Sequence, residues 1–438
     1  MKLLLSCYEC SPIRGSECGI GWHWAYEARR MGHEVWCLVA PTYEGEIRGA
    51  CKADPIAASI HWIFPQSPFW RLADGYRPKA ERRHNLLWQF AALKEARQLA
   101  KTVRFDIVHQ VTWGGLRVPS FLWKLPVPFI VGPVGGGETS PSGLRDAFSM
   151  RNRMTERVRD LSNATLMLNP PIHRMLNAAK IIVARTTESR DILPKRLRRK
   201  TVVELGIGVT EQRIGQPRRR TVAAPRILFA GRLLYWKGIH LALGAFDRLS
   251  RQMPDAQFTI VGSGPETAEL LRKIEDDPYL AERVTVKGWM EQEDIFGLYH
   301  TYDLFLFPSL HDSGGMVVLE ALASGLPVVC LDLGGPNELV DKTCGVAVKT
   351  AGLNSPRVVE ALASAAANIL IDEERWEALS KGAIGRARQF TWSRRVSNFY
   401  TSIEPGIAQA RSGPFPAASV APILSDTISA NERACAKT

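Results

Sequence analysis

Short apolar runs alternate along the chain with segments of helical periodicity, a pattern typical of a parallel sheet covered by helices. The first run, residues 2–7, precedes glycine-rich residues 14–21, a helical segment at 22–31 that ends at Gly32, and a second strand-like run at 33–40. This strand–helix–strand unit predicts the start of a doubly wound α/β domain. More strands of this domain are predicted at 60–64, 106–110 and 129–132.

The same alternation starts again near Arg226. Strands are predicted at 227–230, 258–261, 284–286, 304–307, 328–330 and 345–348. Helices are predicted between and after them at 238–249, 292–300, 316–325 and 355–371. Strands that run into glycine or polar residues present them where open parallel sheets bind ligands. The predicted fold class is therefore α/β, with two Rossmann-like doubly wound domains and an active site expected in the cleft between them.

Composition excludes several classes of protein. Of the 438 residues 45% are hydrophobic and 23% charged, which is ordinary for a soluble globular chain. No apolar run reaches the roughly 18 residues of a membrane-spanning helix, and the apolar start at 3–5 is too short for a signal peptide. Eight cysteines are too few for a disulfide framework. Cys7 and Cys10 lack the second close pair of a structural zinc site, so we expect reduced thiols.

The positive charge is concentrated in the first half of the chain. Residues 1–220 contain 35 Lys and Arg against 19 Asp and Glu, whereas residues 221–438 contain 21 against 25. This asymmetry indicates an anionic partner for the first half. Nucleic acid is disfavoured because no nucleic-acid-binding motif accompanies the charge. Basic residues 142–200 and the amphipathic stretch 77–101, with Trp88 and Phe90, either rest on an anionic membrane face or are solvated charged helices.

The loop after the strand at 304–307 is the most informative stretch. Small residues precede a helix that starts near Met316, and the free N–H groups of a helix start favour an anion. Gly314 and Gly315 would let a ligand approach the backbone. Asp312 and Glu320 flank this point and are better explained as acceptors for sugar or ribose hydroxyls than as phosphate ligands. The alternative is a capped helix with a surface glutamate.

A second loop, residues 231–238, carries two cations. Arg232 follows a strand and Lys237 precedes a helix. Both side chains could reach one diphosphate, Arg232 as a fork and Lys237 as a point charge. The alternative is a pair of solvated loop cations.

Together these stretches resemble the family 4 retaining glycosyltransferases of GT-B fold. The likeness rests, in order and spacing, on Gly231-Arg232 with Lys237-Gly238, Val-Gly-Ser-Gly-Pro-Glu at 261–266, Gly288-Trp289, and Asp312 eight residues before Glu320-Ala321. Phe390-Thr391-Trp392 with Tyr400 resembles the helix that crosses back to the N-domain, so the likeness covers about residues 1–407. Three positions depart from the family: Asp312 replaces the usual Glu, Gly15-Ser16 replaces Gly-Gly, and only His109 remains of a His-x-His.

The resemblance implies a retaining transferase that moves a sugar from a nucleotide-diphosphate sugar to a saccharide or lipid-linked saccharide acceptor, in cell-surface polysaccharide synthesis. The implied catalytic residues are Asp312, His109, Arg232 and Lys237. The implied donor-binding residues are Glu320, the main chain of Gly314, Gly315 and Met316, the main chain near Met290, and Gly15. For His109 a core histidine with satisfied hydrogen bonds is the alternative. Glu138, in Gly135-Gly136-Gly137-Glu138 after a strand, is a further cleft-facing candidate.

The resemblance also implies a domain organisation. We expect an N-terminal Rossmann-like acceptor-binding domain at 1–210 with a basic helical region at 142–200, a linker at 211–224, a C-terminal Rossmann-like nucleotide-sugar-binding domain at 225–385, a crossover helix at 386–407 and a disordered tail at 408–438. No metal motif stands out, so we expect neither metal nor cofactor beside the nucleotide-sugar co-substrate. The expected location is the cytoplasm, with peripheral contact to the inner face of the cytoplasmic membrane left open.

Two other functions remain compatible with the sequence. One is different GT-B chemistry on nucleotide sugars, namely epimerisation or hydrolysis. The other is a non-catalytic module that binds a nucleotide sugar or a membrane. The base, the donor sugar, the acceptor and the linkage are not fixed by these motifs, because specificity lies in a few contacts.

Overall fold

A computed structural model describes residues 1–66, 78–220 and 224–410, with the side chains of all of these except 78–82 and 408–410. The tail expected at 408–438 lies outside the described residues, apart from the last turn of a helix, and so does part of the expected linker. The chain forms two compact units. Unit 1 comprises Met1–Gly137, Asn163–Gly206 and the chain from Trp392 onward, and unit 2 comprises Glu138–Ser162 and Ile207–Thr391.

Thirteen strands and seventeen α-helices are present in the described residues. The strands are β1 Lys2–Cys7, β2 Glu34–Val39, β3 His61–Ile63, β4 Ile107–Thr112, β5 Phe129–Val134, β6 Ile181–Ala184, β7 Thr201–Val203, β8 Arg226–Ala230, β9 Gln257–Val261, β10 Val284–Gly288, β11 Leu304–Phe307, β12 Val328–Leu331 and β13 Gly345–Val348. The helices are α1 Ser16–Arg30, α2 Glu44–Ala53, α3 Pro55–Ala58, α4 Pro78–Leu99, α5 Met150–Ala164, α6 Pro170–Ala178, α7 Thr187–Asp191, α8 Lys195–Arg198, α9 Ile239–Gln252, α10 Thr267–Glu275, α11 Pro278–Ala281, α12 Gln292–Tyr299, α13 Met316–Ala323, α14 Gly334–Leu339, α15 Ser355–Leu370, α16 Glu373–Gln389 and α17 Trp392–Ala410.

Unit 1 is built on a seven-stranded parallel sheet in the order β3-β2-β1-β4-β5-β6-β7. Leu3, Leu4 and Leu5 of the interior strand β1 are fully buried, as expected where helices cover both faces of a parallel sheet. Strand β6, which the sequence analysis did not predict, lies inside the expected basic helical region at 142–200. Its four residues, Ile-Ile-Val-Ala, are a short apolar run of the kind that marked the other strands.

Helices α4 and α17 complete unit 1. In α4, Phe90 is exposed but Trp88 is fully buried. Of the two aromatic residues named for a membrane face, only Phe90 is therefore accessible. Arg77, where that stretch was expected to begin, lies outside the described residues. In α17, Phe399 and Tyr400 are fully buried, and Phe399 packs edge-on against Trp24 of α1 with ring centroids 5.1 Å apart. Within the span of the expected crossover helix, 386–407, α16 ends at Gln389 and α17 begins at Trp392, and the two helices lie in different units.

Unit 2 is built on a six-stranded parallel sheet in the order β10-β9-β8-β11-β12-β13. The predicted α/β class with two parallel sheets is confirmed. Helix α5 belongs to this unit as far as Ser162, although that residue precedes the first strand of the unit, β8, by more than sixty positions in the sequence. No helix of the described residues combines the length and the apolar character needed to cross a bilayer.

Candidate functional site

An ion pair between Lys237 and Asp312 lies where β8 and β11 of unit 2 end. The Lys237 ammonium donates to Asp312 Oδ2, and both side chains are largely buried. Lys237 Nζ also lies 5.4 Å from the centroid of the Phe307 ring, which holds the ammonium over an apolar wall. The structure therefore brings together two of the predicted catalytic residues.

Asp312 also organises the glycine loop before α13. Its Oδ1 accepts the N–H groups of Gly314 at 3.1 Å and Gly315 at 3.3 Å. Burial alone would raise the pKa of Asp312, but Lys237 and these N–H groups lower it below its ordinary value. Two backbone donors that were predicted for phosphate are thus used by Asp312. The Met316 N–H, at the start of α13, has no acceptor among the described residues.

Close backbone packing fixes the loop that carries Lys237. Gly238 adopts a φ of +72°, and a Cβ at this position would lie 1.9 Å from the carbonyl oxygen of Pro308. The Leu310 N–H donates to the Trp236 carbonyl oxygen at 2.7 Å. The loop after β8 and the loop after β11 therefore meet without any side chain between them, which places Lys237 beside Asp312.

Arg232 does not join this cluster. Its side chain is exposed, and it forms no ion pair within the described part of the chain. The backbone around it is tied to the next strand, because the Leu233 N–H donates to the Ser263 carbonyl oxygen at 3.0 Å and the Gly231 N–H to that of Val261 at 2.9 Å. Arg232 is thus held at the carboxyl edge of the sheet with an unpaired charge.

Glu320 lies one turn into α13 and is almost completely buried. Its Oε1 accepts from Gln292 Nε2 at 2.6 Å and its Oε2 from the Tyr299 hydroxyl at 3.3 Å. Burial raises the pKa of Glu320 to about 7, although Gln292 and the charge of Arg213 oppose the shift. A buried carboxyl that titrates near neutrality is a common property of functional sites. It is not the surface glutamate of the alternative interpretation.

Sequence reasoning missed Gln292 and Tyr299. They are the first and last residues of α12 and lie seven positions apart, so both point to one face of the helix. That spacing was a signal in the sequence by which the two residues could have been found.

Sequence reasoning also missed Gly334 and Gly335, which follow β12. The Gly335 N–H donates to the Asp312 carbonyl oxygen at 2.6 Å, and a Cβ on Gly334 would lie 2.3 Å from the same oxygen.

A buried acid, Glu156 of α5, lies beside this cluster and was also missed. It accepts from the Tyr235 hydroxyl at 2.8 Å, from His311 Nε2 at 3.1 Å and from the Ser140 N–H at 3.0 Å. Burial would raise the pKa of Glu156, but His311 and the other donors lower it to about 2. The His311 ring stacks on Trp236 with centroids 5.2 Å apart. Glu156 thereby holds Tyr235, two residues before Lys237, and His311, the residue before Asp312.

Three further predicted residues are Glu138 and Met290 of unit 2 and Gly15 of unit 1. Glu138 is buried in unit 2, near enough to His311 for its negative charge to act on the pKa of that histidine. Met290 is half-buried just after β10. Gly15, in unit 1, is the N-cap of α1, and Ser16 after it adopts a φ of +56°. The serine thus takes the left-handed conformation that the family's usual glycine adopts freely.

His109 of unit 1 is a core residue, and its predicted catalytic contact is not supported. It is fully buried, its Nδ1 is 2.9 Å from the Tyr400 hydroxyl and its Nε2 is 2.7 Å from the Gly132 carbonyl oxygen. Burial lowers the pKa of His109 to about 4. With both ring nitrogens engaged, it fits the alternative interpretation.

Potential metal ligands are scattered in the described residues. No group of three or more His, Cys, Asp or Glu side chains there is placed to hold a metal ion. The seven cysteines in the described ranges are free thiols, and burial raises the pKa of Cys7, Cys10 and Cys37. The chemistry available at the edge of the unit 2 sheet is thus cationic at Lys237 and Arg232 and carboxylic at Asp312 and Glu320.

Comparison with known proteins points to one family. The model of the glycosyl transferases group 1 matches residues 224–372. Glycogen synthase of Mycobacterium tuberculosis is 31% identical over 194 residues, which are 44% of this chain and 45% of that protein. The GDP-mannose-dependent alpha-(1-6)-phosphatidylinositol monomannoside mannosyltransferase of the same species is 32% identical over 185 residues, or 40% and 46% of the two chains. The chain thus spans less than half the length of these curated relatives.

A solved structure extends the likeness to both units at the level of the fold. HepE of Anabaena, crystallised with UDP, superposes with a TM-score of 0.57 at 17% identity, covering 92% of this chain and all of that one. The family model covers the segment that carries Lys237, Asp312 and Glu320. Residues 224–372 are thus similar to the glycosyl transferases group 1, and the chain has the fold of GT-B glycosyltransferases.

Proposed function

We propose that this chain is a retaining glycosyltransferase of family 4 that moves a sugar from a nucleotide-diphosphate sugar to a saccharide or lipid-linked saccharide acceptor. The observation that carries the proposal is the arrangement around α13. The ion pair between Lys237 and Asp312 lies just before the first turn of α13, and the buried, hydrogen-bonded carboxyl of Glu320 lies one turn into the helix. Cationic groups and a buried carboxyl at that spacing suit the two ends of a nucleotide diphosphate.

We assign to Lys237 and Arg232 the neutralisation of the charge that develops on the leaving diphosphate. When the bond from the sugar C1 to the diphosphate oxygen breaks, negative charge grows on that oxygen, and fixed cations lower the barrier. The diphosphate would compete with Asp312 for Lys237. Asp312, held by the N–H groups of Gly314 and Gly315, would then be available to accept a sugar hydroxyl.

Glu320 is assigned to the ribose. Its two oxygens accept from Gln292 and from Tyr299, and these two hydrogen bonds fix the orientation of the carboxyl group. The acceptor hydroxyl attacks C1 from the face that the diphosphate leaves, with its proton passing to the departing phosphate oxygen. No residue of the Lys237 cluster is placed as a covalent nucleophile, so this front-side course is the mechanism we propose.

Donor binding can be tested without knowing the acceptor. The named donor of one relative contains GDP and the structural neighbour was solved with UDP, so the panel should include UDP, GDP, ADP and their sugars. One nucleotide series should raise the melting temperature of the wild-type chain, since a ligand that binds only the folded state stabilises it. The Glu320→Ala variant should lose this rise. A wild-type chain that responds to no nucleotide contradicts the proposal.

Product analysis separates transfer from the other chemistries. With donor alone, a transferase consumes the donor slowly, whereas a hydrolase or epimerase releases free or epimerised sugar rapidly. Anomeric configuration of the transfer product, determined by NMR coupling constants, tests retention directly. An inverted product would overturn the retaining assignment and leave the donor assignment standing.

A further inference from the structure

Helix α5 is amphipathic in the reverse sense to an ordinary surface helix. Its buried side is polar, with Glu156 fully buried and bonded to Tyr235 and His311. Its outer side carries Met150, Met154, Val158 and Leu161, each 60–70% exposed. We refer to these four residues as the α5 stripe. A helix normally buries its apolar face, so an inverted helix needs something else to cover that face.

The four residues form one continuous line. They occupy positions i, i+4, i+8 and i+11, which fall on a single face at 100° per residue. The helix cannot simply roll to bury them, because its other side is anchored in unit 2. Besides the Glu156 contacts, Arg145 donates to both oxygens of Asp160 at 2.6 and 3.0 Å. The stripe is thus held outward by polar bonds on the opposite face.

Exposed arginines border the stripe on both sides. Arg151 lies along one edge, and Arg153 and Arg157 lie along the other. None of the three forms an ion pair among the described residues. Arginine side chains can bury their stems along an apolar surface while the guanidinium reaches phosphate groups. An apolar stripe edged by cations is complementary to the interface of a membrane that contains anionic lipids.

We propose that the α5 stripe is a membrane-docking surface that inserts into the headgroup region of an anionic bilayer. This goes beyond sugar transfer, and it narrows the broad basic region 142–200 to one helix face. A second copy of the chain fits this face less well. Pairing two stripes would bring the arginines of both copies together, and one face of a fifteen-residue helix is smaller than the roughly 800 Å² per partner of a stable interface.

Vesicle co-sedimentation of the full chain, without donor or acceptor, tests the proposal. Vesicles of phosphatidylcholine alone are compared with vesicles in which about one third is phosphatidylglycerol. We expect the chain to bind the anionic vesicles at least about tenfold more tightly than the neutral ones. This difference in affinity should disappear at high salt. Failure of the wild-type chain to bind anionic vesicles overturns the proposal.

Variants locate the contact. Met154→Ser with Val158→Ser should weaken binding to anionic vesicles by about tenfold or more, because two inserted apolar side chains are lost. Arg151→Gln with Arg157→Gln should weaken it by a similar factor. Leu271→Ser with Ile371→Ser, which alters exposed apolar residues elsewhere in unit 2, is the matched control and should bind as the wild type does.

The same variants test the alternative that a second copy of the chain covers the α5 stripe. If the wild-type chain is a dimer in sedimentation equilibrium and Met154→Ser with Val158→Ser makes it monomeric, a second copy covers the stripe and the membrane proposal is wrong. Unchanged vesicle binding by that double variant also overturns it. Circular dichroism should show wild-type helix content for every variant, since the altered side chains are exposed. Vesicle binding needs no nucleotide, so its failure is distinguishable from failure of the transferase proposal.

Discussion

Replacing Glu320 by glutamine should stabilise the protein at pH 8 while it removes donor binding. Burial raises the pKa of Glu320 from its ordinary 4.5 to about 7. The folded state therefore holds the carboxyl proton more tightly than the unfolded chain does. The contribution to stability is neutral below pH 4.5 and becomes unfavourable as the pH rises from 4.5 to about 7. Above pH 7 the ionised, buried carboxylate costs about 3 kcal/mol, since one pKa unit corresponds to about 1.4 kcal/mol.

Glutamine keeps the shape of the side chain and has no charge to bury. It can still accept the Tyr299 hydroxyl, and any hydrogen bond that it loses to Gln292 costs the same at every pH. We therefore compare the difference in unfolding free energy between variant and wild type at pH 5 and pH 8. That difference should move in favour of Glu320→Gln by about 2–3 kcal/mol between the two pH values.

Urea denaturation followed by tryptophan fluorescence measures both free energies. Glu374→Gln, at an exposed position of α16, is the matched control and should show no pH-dependent difference. Nucleotide-induced stabilisation, measured in parallel, should fall in Glu320→Gln although the fold is more stable. A difference between variant and wild type that is equal at pH 5 and pH 8 refutes the argument that Glu320 is a buried acid titrating near neutrality.

Three further predictions concern the neighbouring residues. Lys237→Ala should lower the rate of sugar transfer by about a hundredfold or more, measured at a temperature where the variant is folded, and should also lower the melting temperature because Asp312 loses its buried cation. Arg248→Ala, which removes an exposed cation, should leave the rate within about threefold, and equal rates for Lys237→Ala and wild type would contradict the role of Lys237. Glu156→Gln should lower the unfolding free energy by about 2 kcal/mol at pH 7, because the charge-assisted bonds from His311 are lost, and by less at pH 3, where the wild-type advantage is already declining toward a pKa of about 2; urea titrations at both pH values test this. Gly238→Ala should destabilise the fold by about 2 kcal/mol or more because of its positive φ and the nearby Pro308 oxygen, whereas Gly297→Ala, inside α12 with open space around it, should be neutral or stabilising in the same denaturation assay.

The sequence was most informative about the sheets of both units. Runs such as 227–230 and 304–307 are apolar at every position, and a central parallel strand buries both faces, so these runs predicted β8 and β11 directly. The strand β6 escaped notice because the charge around it dominated the composition of residues 142–200. A strand of only four residues contributes little to the average composition of a sixty-residue region, so composition alone does not reveal it.

Within the candidate site, motif spacing identified the residues but not how they use their hydrogen bonds. It predicted Lys237, Asp312 and Glu320, and the structure places all three at the edge of the unit 2 sheet. It also predicted that Gly314 and Gly315 would donate to phosphate, whereas Asp312 accepts from both. A shorter carboxylate than the family's usual glutamate lies close to its own loop, and only the folded geometry shows that its oxygen reaches the N–H groups two and three residues later.

The orientation of α5 shows a more general limit of sequence patterns. The stripe at 150, 154, 158 and 161 has the periodicity of a helix that buries its apolar face, and periodicity alone predicts that the stripe points into unit 2. The deciding residue is Glu156 on the other face. A carboxylate is rarely fully buried, but here three donors from Ser140, Tyr235 and His311 satisfy it, and two of these lie about eighty or more residues away in sequence. Because the partners that stabilise a buried charge come from distant parts of the chain, the pattern of one helix cannot show which of its faces is inside.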